Sequence, residues 1–451
     1  MSSKVYEVVV VGGGPVGLAA TYEVAKTGAK VIVLEQNNFF NHAGSSNDLA
    51  RMFRTMYTED VMADLAEKAM GFWDNLEKDS GTILRWMTGL LNFGDKEYGN
   101  NTPEGTLLGP IDNLKKHGMP YKEWTAKEIE ARYPFKNLPA EWTGLYAYDN
   151  GIINVQRLLR TLLSLAKAYG AEARQNTQVK RICPPERGNS TWKVHTNSAE
   201  TNYTVIEAKK IIIASGSYIN DILKPSFDIS LDLDIWEMAV SYFNCKAGPG
   251  GTIFPSMWYQ FAPPKGDRSQ LFYGFPTLPW GPPNVTRIAI DAATRRIKDP
   301  SNRLTNVVNP DDISDVQQFI KEHVVGVDST VPASTTSCLQ TNVFDNMFVL
   351  DFIPQKHLKD GPPKSVVVFT AGWAMKFVPL LGKALADMSL KGESDHTRPE
   401  FKIDRKNQVT GRSIIVSNDK PDEQPKSSFD TLEKQASGSS IKGLHNTGLS
   451  L

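Results

Sequence analysis

Residues 12 to 17 read Gly12-Gly13-Gly14-Pro15-Val16-Gly17, a run that fits the spacing G-x-G-x-x-G. Each position has a physical reason if the partner is a dinucleotide. Gly12 permits a tight turn, Gly14 lets backbone approach a pyrophosphate, and Gly17 lets the following helix pack closely. The N–H groups at the start of that helix then face the phosphate charge, and Pro15 is compatible with its first turn. Glu35 ends the next apolar run, where its carboxylate can accept hydrogen bonds from both hydroxyls of an adenosine ribose. The bland alternative is a glycine turn followed by a solvated strand end. The motif by itself does not distinguish FAD from NAD.

The elements around the motif favour the dinucleotide. Val8 to Val11 is a β-branched run, Leu18 to Thr27 has helical character, and Lys30 to Leu34 resumes as a strand, which together make a βαβ unit. Val155 to Tyr169 reads as an amphipathic helix. Arg181-Ile182 and Trp192 to His195 read as short strands, and Lys210 to Ala214 as an apolar strand ending in Ser215-Gly216-Ser217. Aromatic, Pro- and Gly-rich segments between Pro225 and about Pro300 predict an antiparallel sheet forming a substrate domain. Strand and helix patterns then return at Met347 to Asp351, Ser365 to Thr370 and about Leu380 to Leu390.

The expected fold class is therefore α/β, α+β overall, with a discontinuous Rossmann-type dinucleotide-binding domain and a second domain on a mainly antiparallel sheet. The expected division is 1–90, 145–224 and 335–398 for the cofactor domain and 91–144 with 225–334 for the substrate domain. A polar tail over 399–451 is expected to wrap the surface or to be partly disordered.

At 451 residues and 40% hydrophobic composition, the chain can bury a core larger than one domain usually holds. Lys+Arg and Asp+Glu are both 50, so no global field draws it to nucleic acid or an anionic membrane; a small molecule is the expected partner. Cys183, Cys245 and Cys338 are too few for a disulfide framework and lack zinc-ligand spacing, which suits a reducing compartment. No run approaches the ~18 apolar residues of a membrane span. The first residues lack a signal-peptide stretch, so nothing is expected to precede the first strand. Leu449-Ser450-Leu451 shares only its final leucine with the peroxisomal signal Ser-Lys-Leu. A cytoplasmic address is expected, with a peroxisomal one left open.

Several segments, in order, resemble the monomeric sarcosine oxidase family of FAD-dependent amine oxidases, over most of residues 5 to 395. The resemblance favours FAD, because Lys210 to Gly216 and Phe369 to Lys376 look like the returning segments of flavoprotein amine oxidases; with Val179, Gly216 and Met375 they imply flavin contacts. Gly44-Ser45-Ser46-Asn47-Asp48-Leu49-Ala50-Arg51-Met52-Phe53-Arg54 is similar to the family's Gly-Ser segment followed by two arginines three apart. The resemblance puts Ser45, Ser46 and Arg51 at the flavin and Arg54 at the substrate carboxylate, a role suited to a guanidinium fork. The spacing predicts both arginines near one face of a helix. Standing alone, the pair would read as surface arginines.

Cys338-Leu339-Gln340-Thr341 resembles the family's Cys-x-Tyr-Thr, which implies a covalent 8α-S-cysteinyl flavin at Cys338; Gln340 departs from the tyrosine, and a lone cysteine is otherwise a small apolar residue. Gly372-Trp373-Ala374-Met375-Lys376-Phe377 is similar to Gly-His-Gly-Phe-Lys-Phe, implying that Lys376 joins Arg54 on the carboxylate, against the alternative of a snorkelling helix-start lysine. Tyr273-Gly274-Phe275-Pro276 matches the family's Tyr-Gly-Phe-Pro and implies Tyr273 near the substrate. Arg287, beyond an insertion around Trp280 to Pro283, would replace the lysine that promotes reaction with oxygen; an exposed strand arginine paired with Asp291 is the alternative.

The implied activity is oxidation of the C–N bond of a secondary amino acid, N-methyl or cyclic, to an imine with hydrogen peroxide as co-product, by a protein expected to be a monomer. An aromatic pocket from Trp258, Tyr259, Tyr273 and Trp373 suits a side chain larger than sarcosine's hydrogen. The resemblance extends to fungal N-methyl amino acid oxidases of secondary metabolism. A dehydrogenase using another acceptor and a non-catalytic flavin-binding protein remain the alternatives. An aromatic monooxygenase shares the N-terminal motif but would need a Gly-Asp flavin-ribose segment, with its usual neighbours, that is not found after residue 250.

Overall fold

The computed structural model of the chain describes residues 4–417 apart from 47, 99–104, 187–188, 199–202, 247, 249–250, 267 and 305–307. It opens with strand β1 (Val5–Val11), helix α1 (Pro15–Lys26) and strand β2 (Val31–Leu34). In β1, Val8 to Val11 are all buried, as a strand covered on both faces requires. It runs parallel to β2 on one side and to strand Thr204–Ile213 on the other.

Strand Val366–Thr370 joins the far end of Thr204–Ile213 in parallel, and the antiparallel strands Thr177–Cys183 and Trp192–Ser198 extend the sheet. An eight-stranded α/β sheet is thus assembled from pieces far apart in sequence. Helix Val378–Lys391 packs on α1 closely enough that a Cβ on Gly382 would lie 2.5 Å from the Ala19 side chain.

The second large sheet has nine strands and is antiparallel except where Met257–Phe261 runs parallel to Leu90–Gly94. Its period-two alternation separates two environments. Trp258, Phe272 and Ile288 lie on the face under helix Pro310–His323, where Phe319 stacks on Trp258 and on Phe272. Tyr259, Tyr273 and Ala289 are register partners across three strands, so they share the opposite face. Arg287 lies two residues from Ala289 on that same face. Tyr242 pairs with Arg287, and Met238 with Cys338 of strand Ser334–Asn342. One sheet face therefore gathers Met238, Tyr242, Tyr259, Tyr273, Arg287 and Cys338.

Two expectations are corrected. The Arg51 segment is strand β3 (Ala50–Phe53), not a helix; it pairs antiparallel with Gly151–Asn154, and that tertiary pairing supplies the backbone hydrogen bonds a helix would have made internally. Helix α2 (Asp60–Ser80) begins only after Glu59. The segment after Pro399 does not merely cover the surface: Phe401, Ile403 and Ile414 are fully buried, and Ile415–Ser417 pairs with Ile229–Leu231. Residues 418–451, including Leu449-Ser450-Leu451, lie outside the described residues. No helix among the described residues is long and apolar enough to cross a membrane.

Candidate active site

The glycine motif opens a cavity that encloses about 2060 Å³ of empty space with its mouth included. Its wall runs from the glycine cradle to Arg54 and Lys376, so a dinucleotide and a substrate can share it. At one end, Gly12 has φ 109°, and a Cβ there would lie 2.5 Å from the Ala214 carbonyl oxygen; a Cβ on Gly17 would lie 2.0 Å from the Gly12 oxygen. Both positions demand glycine, Gly12 for the turn and Gly17 for packing α1 onto it. Gly17 itself does not line the cavity, whereas Gly12, Gly14, Pro15 and Val16 do. Pro15 starts α1, and no side chain caps the helix, so its first N–H groups are left for an anion.

Glu35 receives the Gly13 N–H at 2.8 Å, the Asn37 N–H at 2.9 Å and the Asn41 amide at 3.2 Å, yet burial pushes its carboxyl up. It is thus fixed at the cavity wall. Val179, Gly216, Ser45, Ser46, Arg51, Cys338 and Met375 line the same cavity. Ser45 donates to the Leu339 carbonyl oxygen, and Thr341 shares a hydrogen bond of 2.9 Å with Ser217. The Cys338 strand is thereby tied to the segment at Ser45 and to the turn Gly216–Tyr218. Cys338 is a half-buried free thiol within electrostatic reach of the Arg51 guanidinium. Gln340, in place of the family's tyrosine, donates to the Gly372 carbonyl oxygen at 3.1 Å.

The other end of the cavity carries the charges. Arg54 and Lys376 are both buried, so the helix-start snorkelling alternative for Lys376 fails. The Tyr57 ring lies against both, 4.9 Å from the Arg54 guanidinium and 5.6 Å from Lys376 Nζ. Trp73 of α2 donates its indole N–H to the Lys376 carbonyl oxygen at 2.8 Å, which fixes the lysine's backbone. Burial and the neighbouring Arg54 depress the Lys376 ammonium well below its ordinary value, with Asp291 acting in opposition. Burial pushes the Tyr57 hydroxyl up to about 12.

Arg287 is also buried rather than exposed, and its partner is Asp48, not Asp291. Its guanidinium donates to Asp48 at 2.9 Å, to the Ala50 carbonyl oxygen at 3.1 Å and to the Tyr273 hydroxyl at 2.6 Å. Arg51 pairs with the same Asp48 oxygen, and Tyr242 donates to the other at 2.7 Å. Burial would raise Asp48, but the two arginines overcome it and hold the carboxyl at about 2. The two arginines three apart thus have different partners, Arg51 the Asp48 carboxylate and Arg54 the Tyr57 ring.

Of the expected aromatic pocket, Tyr259, Tyr273 and Trp373 line the cavity, but Trp258 does not; it points to the opposite face of its strand into the aromatic core. Asp291 lines the charged end, while Asp48 and Tyr57 contact its cations and Tyr242 contacts Asp48; none of the four was singled out as a site residue. Asp48 carried a signal, an acid three residues before Arg51; Tyr242 carried none, because its place depends on strand register.

The residues fit FAD. The cradle at Gly12 and Gly14, the uncapped helix start and Glu35 supply pyrophosphate and ribose partners, and the buried Ser215 Oγ and Trp373 Nε1, both cavity-lining, have no hydrogen-bond partner among the described residues. An α/β sheet with this cradle, a second, mainly antiparallel sheet and a buried cationic pocket define a flavin-dependent oxidoreductase. The chain belongs to the FAD dependent oxidoreductase family, whose sequence profile matches residues 7–388, and is a monomeric-sarcosine-oxidase-like member of it, an oxidoreductase acting on CH–NH groups.

It is 47% identical over 427 residues to a Dictyostelium discoideum protein provisionally named a bifunctional amine oxidase, covering 92% of this chain but 38% of that one. It is 24% identical to the monomeric sarcosine oxidase of Bacillus sp. strain B-0618, covering 89% and 96%. The structure of NikD, an unusual amino acid oxidase essential for nikkomycin biosynthesis, matches with a TM-score of 0.79 at 30% identity, covering 89% of this chain and 98% of that one.

Proposed function

We propose that this chain oxidises the C–N bond of a secondary amino acid, N-methyl or cyclic, to an imine, with oxygen as the final acceptor and hydrogen peroxide as product. The observation that carries this reading is the pair of buried cations, Arg54 and Lys376, in the wall of the same cavity that the glycine motif opens. An α-carboxylate can pair with both cations at once, which would fix the Cα–H relative to the cofactor. When bound, FAD supplies the two-electron acceptor for that C–H bond. Cys338, a free thiol in the cavity wall, is the residue that would hold it covalently through sulfur. Tyr259, Tyr273 and Trp373 wall the substrate's side chain.

The test is anaerobic mixing of the yellow protein with a panel of N-methyl and cyclic amino acids, following flavin bleaching. Arg54→Ala is expected to raise KM for carboxylated substrates by roughly one to two decades, since a charge-assisted hydrogen bond contributes about 1.5 to 3 kcal/mol, with flavin content intact. Equal loss for an amine lacking the carboxylate would remove Arg54 from the clamp.

A second reading, a dehydrogenase passing electrons to another acceptor, is favoured by one observation: Asp48 lies 2.9 Å from Arg287 and offsets the charge that would otherwise assist reaction with oxygen. Absence of peroxide during turnover would select it.

A further inference from the structure

We propose that Asp291 is the proton acceptor for the substrate's ammonium group, so that the site takes amino acids as zwitterions and converts them to the free amine in place; this rests on the amino-acid reading above. Asp291 lies one residue past strand Val285–Ile290 and lines the cavity with Arg54 and Lys376. Its backbone is held from both sides, the N–H by the Leu271 carbonyl oxygen at 2.7 Å and its own carbonyl oxygen by the Ser269 hydroxyl at 3.2 Å. The Tyr259 hydroxyl donates to Oδ2, and the Tyr259 ring is stacked on Tyr273 with centroids 6.0 Å apart and planes within 12°. Oδ1 retains lone pairs for a ligand.

The groups facing Asp291 come from every neighbouring element. Arg54 follows β3, Tyr259 and Tyr273 come from adjacent strands, and Lys376 comes from the turn Ala374–Phe377. Arg287, on the same sheet face, is committed to Asp48 and Tyr273. Burial raises the Asp291 carboxyl despite the Tyr259 hydrogen bond, Arg54 and Lys376, while burial and Asp291 push the Tyr259 hydroxyl well up, so that it stays a donor. Two cations and one acid thus stand around one cavity. A carboxylate alone would satisfy only the cations; a ligand bearing both an anion and an ammonium satisfies all three.

The chemistry needs this proton to go somewhere. An ammonium with a pKa of about 10 leaves roughly one molecule in a thousand as free amine at neutral pH, and only the free amine has the lone pair that becomes the imine bond. In the proposed step the substrate N–H bond breaks, its electron pair stays on nitrogen, and the proton forms an O–H bond on Asp291. Asp291 becomes neutral, and the substrate, now a monoanion, remains held by Arg54 and Lys376.

The test compares wild type, Asp291→Asn and Asp291→Glu, all flavin-loaded, in anaerobic stopped-flow reduction by N-methyl and cyclic amino acids across pH. Binding is measured in parallel with an N-methyl, α,α-dimethyl amino acid, which lacks the Cα–H, and with its deaminated carboxylate. Asp291→Asn is expected to slow reduction at neutral pH by roughly a hundredfold or more. Its rate should climb about tenfold per pH unit as free amine accumulates, towards a wild type that has already levelled off. Asp291→Glu restores part of the rate, and Asn weakens the zwitterionic analogue but not the deaminated carboxylate. An Asn variant with the wild-type pH profile, or one that loses both ligands equally, overturns the proposal while wild-type bleaching keeps the amino-acid reading. A wild type that no amino acid bleaches overturns both.

Discussion

Replacing Asp48 with Asn removes the one acid that separates the Arg51 and Arg287 guanidiniums. In the native state the carboxyl sits at about 2 against an ordinary 3.8, because the two arginines overcome the effect of burial. A difference near two pH units corresponds to roughly 2 to 3 kcal/mol of preference for the ionised carboxylate in the folded protein. The native group is the stronger acid, so this stabilisation is complete above about pH 4, and is lost as the pH falls from about 4 to about 2, where the unfolded chain protonates first. Asn carries no such dependence; like the protonated acid, it leaves the buried guanidiniums without their counter-charge at every pH. Urea unfolding of the flavin-loaded protein, followed by tryptophan fluorescence from about pH 5 to about pH 2, should therefore show the gap between wild type and Asp48→Asn narrowing by roughly 2 kcal/mol. A gap that stays constant over that range would refute the network as drawn and leave Asp48 a packing residue.

Denatured wild-type protein is expected to retain its flavin through a thioether at Cys338, and Cys338→Ala to release it; yellow colour washing out of denatured wild type would defeat the covalent tether and leave FAD binding standing. Arg287→Met is expected to slow reoxidation of the reduced protein, but by less than the nearly three decades that a lone charge at about 4 Å and an effective dielectric of 20 would give, because Asp48 offsets it. Stopped-flow mixing with oxygen measures this, and equal second-order constants would make Arg287 purely structural.

Much of this was legible in the chain alone wherever the physics is local. The turn at Gly12, the close packing at Gly17 and the position of Glu35 after an apolar strand follow from backbone sterics and from hydrophobic patterns a few residues long, so the dinucleotide cradle could be read directly. Arg54, Lys376 and Cys338 could be singled out only because their segments resemble a family's motifs, since local spacing alone read them as a surface arginine, a helix-start lysine and a small apolar residue. Which side chains meet was decided elsewhere. Arg51 and Arg54 diverge because β3 borrows its hydrogen bonds from Gly151–Asn154, a pairing across about a hundred residues that no local spacing announces. Trp258 and Tyr259 are neighbours in sequence with opposite fates, one in the aromatic core and one in the cavity, because a strand turns successive residues to opposite faces and only its register against Leu90–Gly94 and Phe272–Gly274 says which is which. Asp48 meets Arg287 by the same logic: opposite charges far apart in sequence find each other only after two sheets have closed around them, where a low dielectric makes the pairing obligatory.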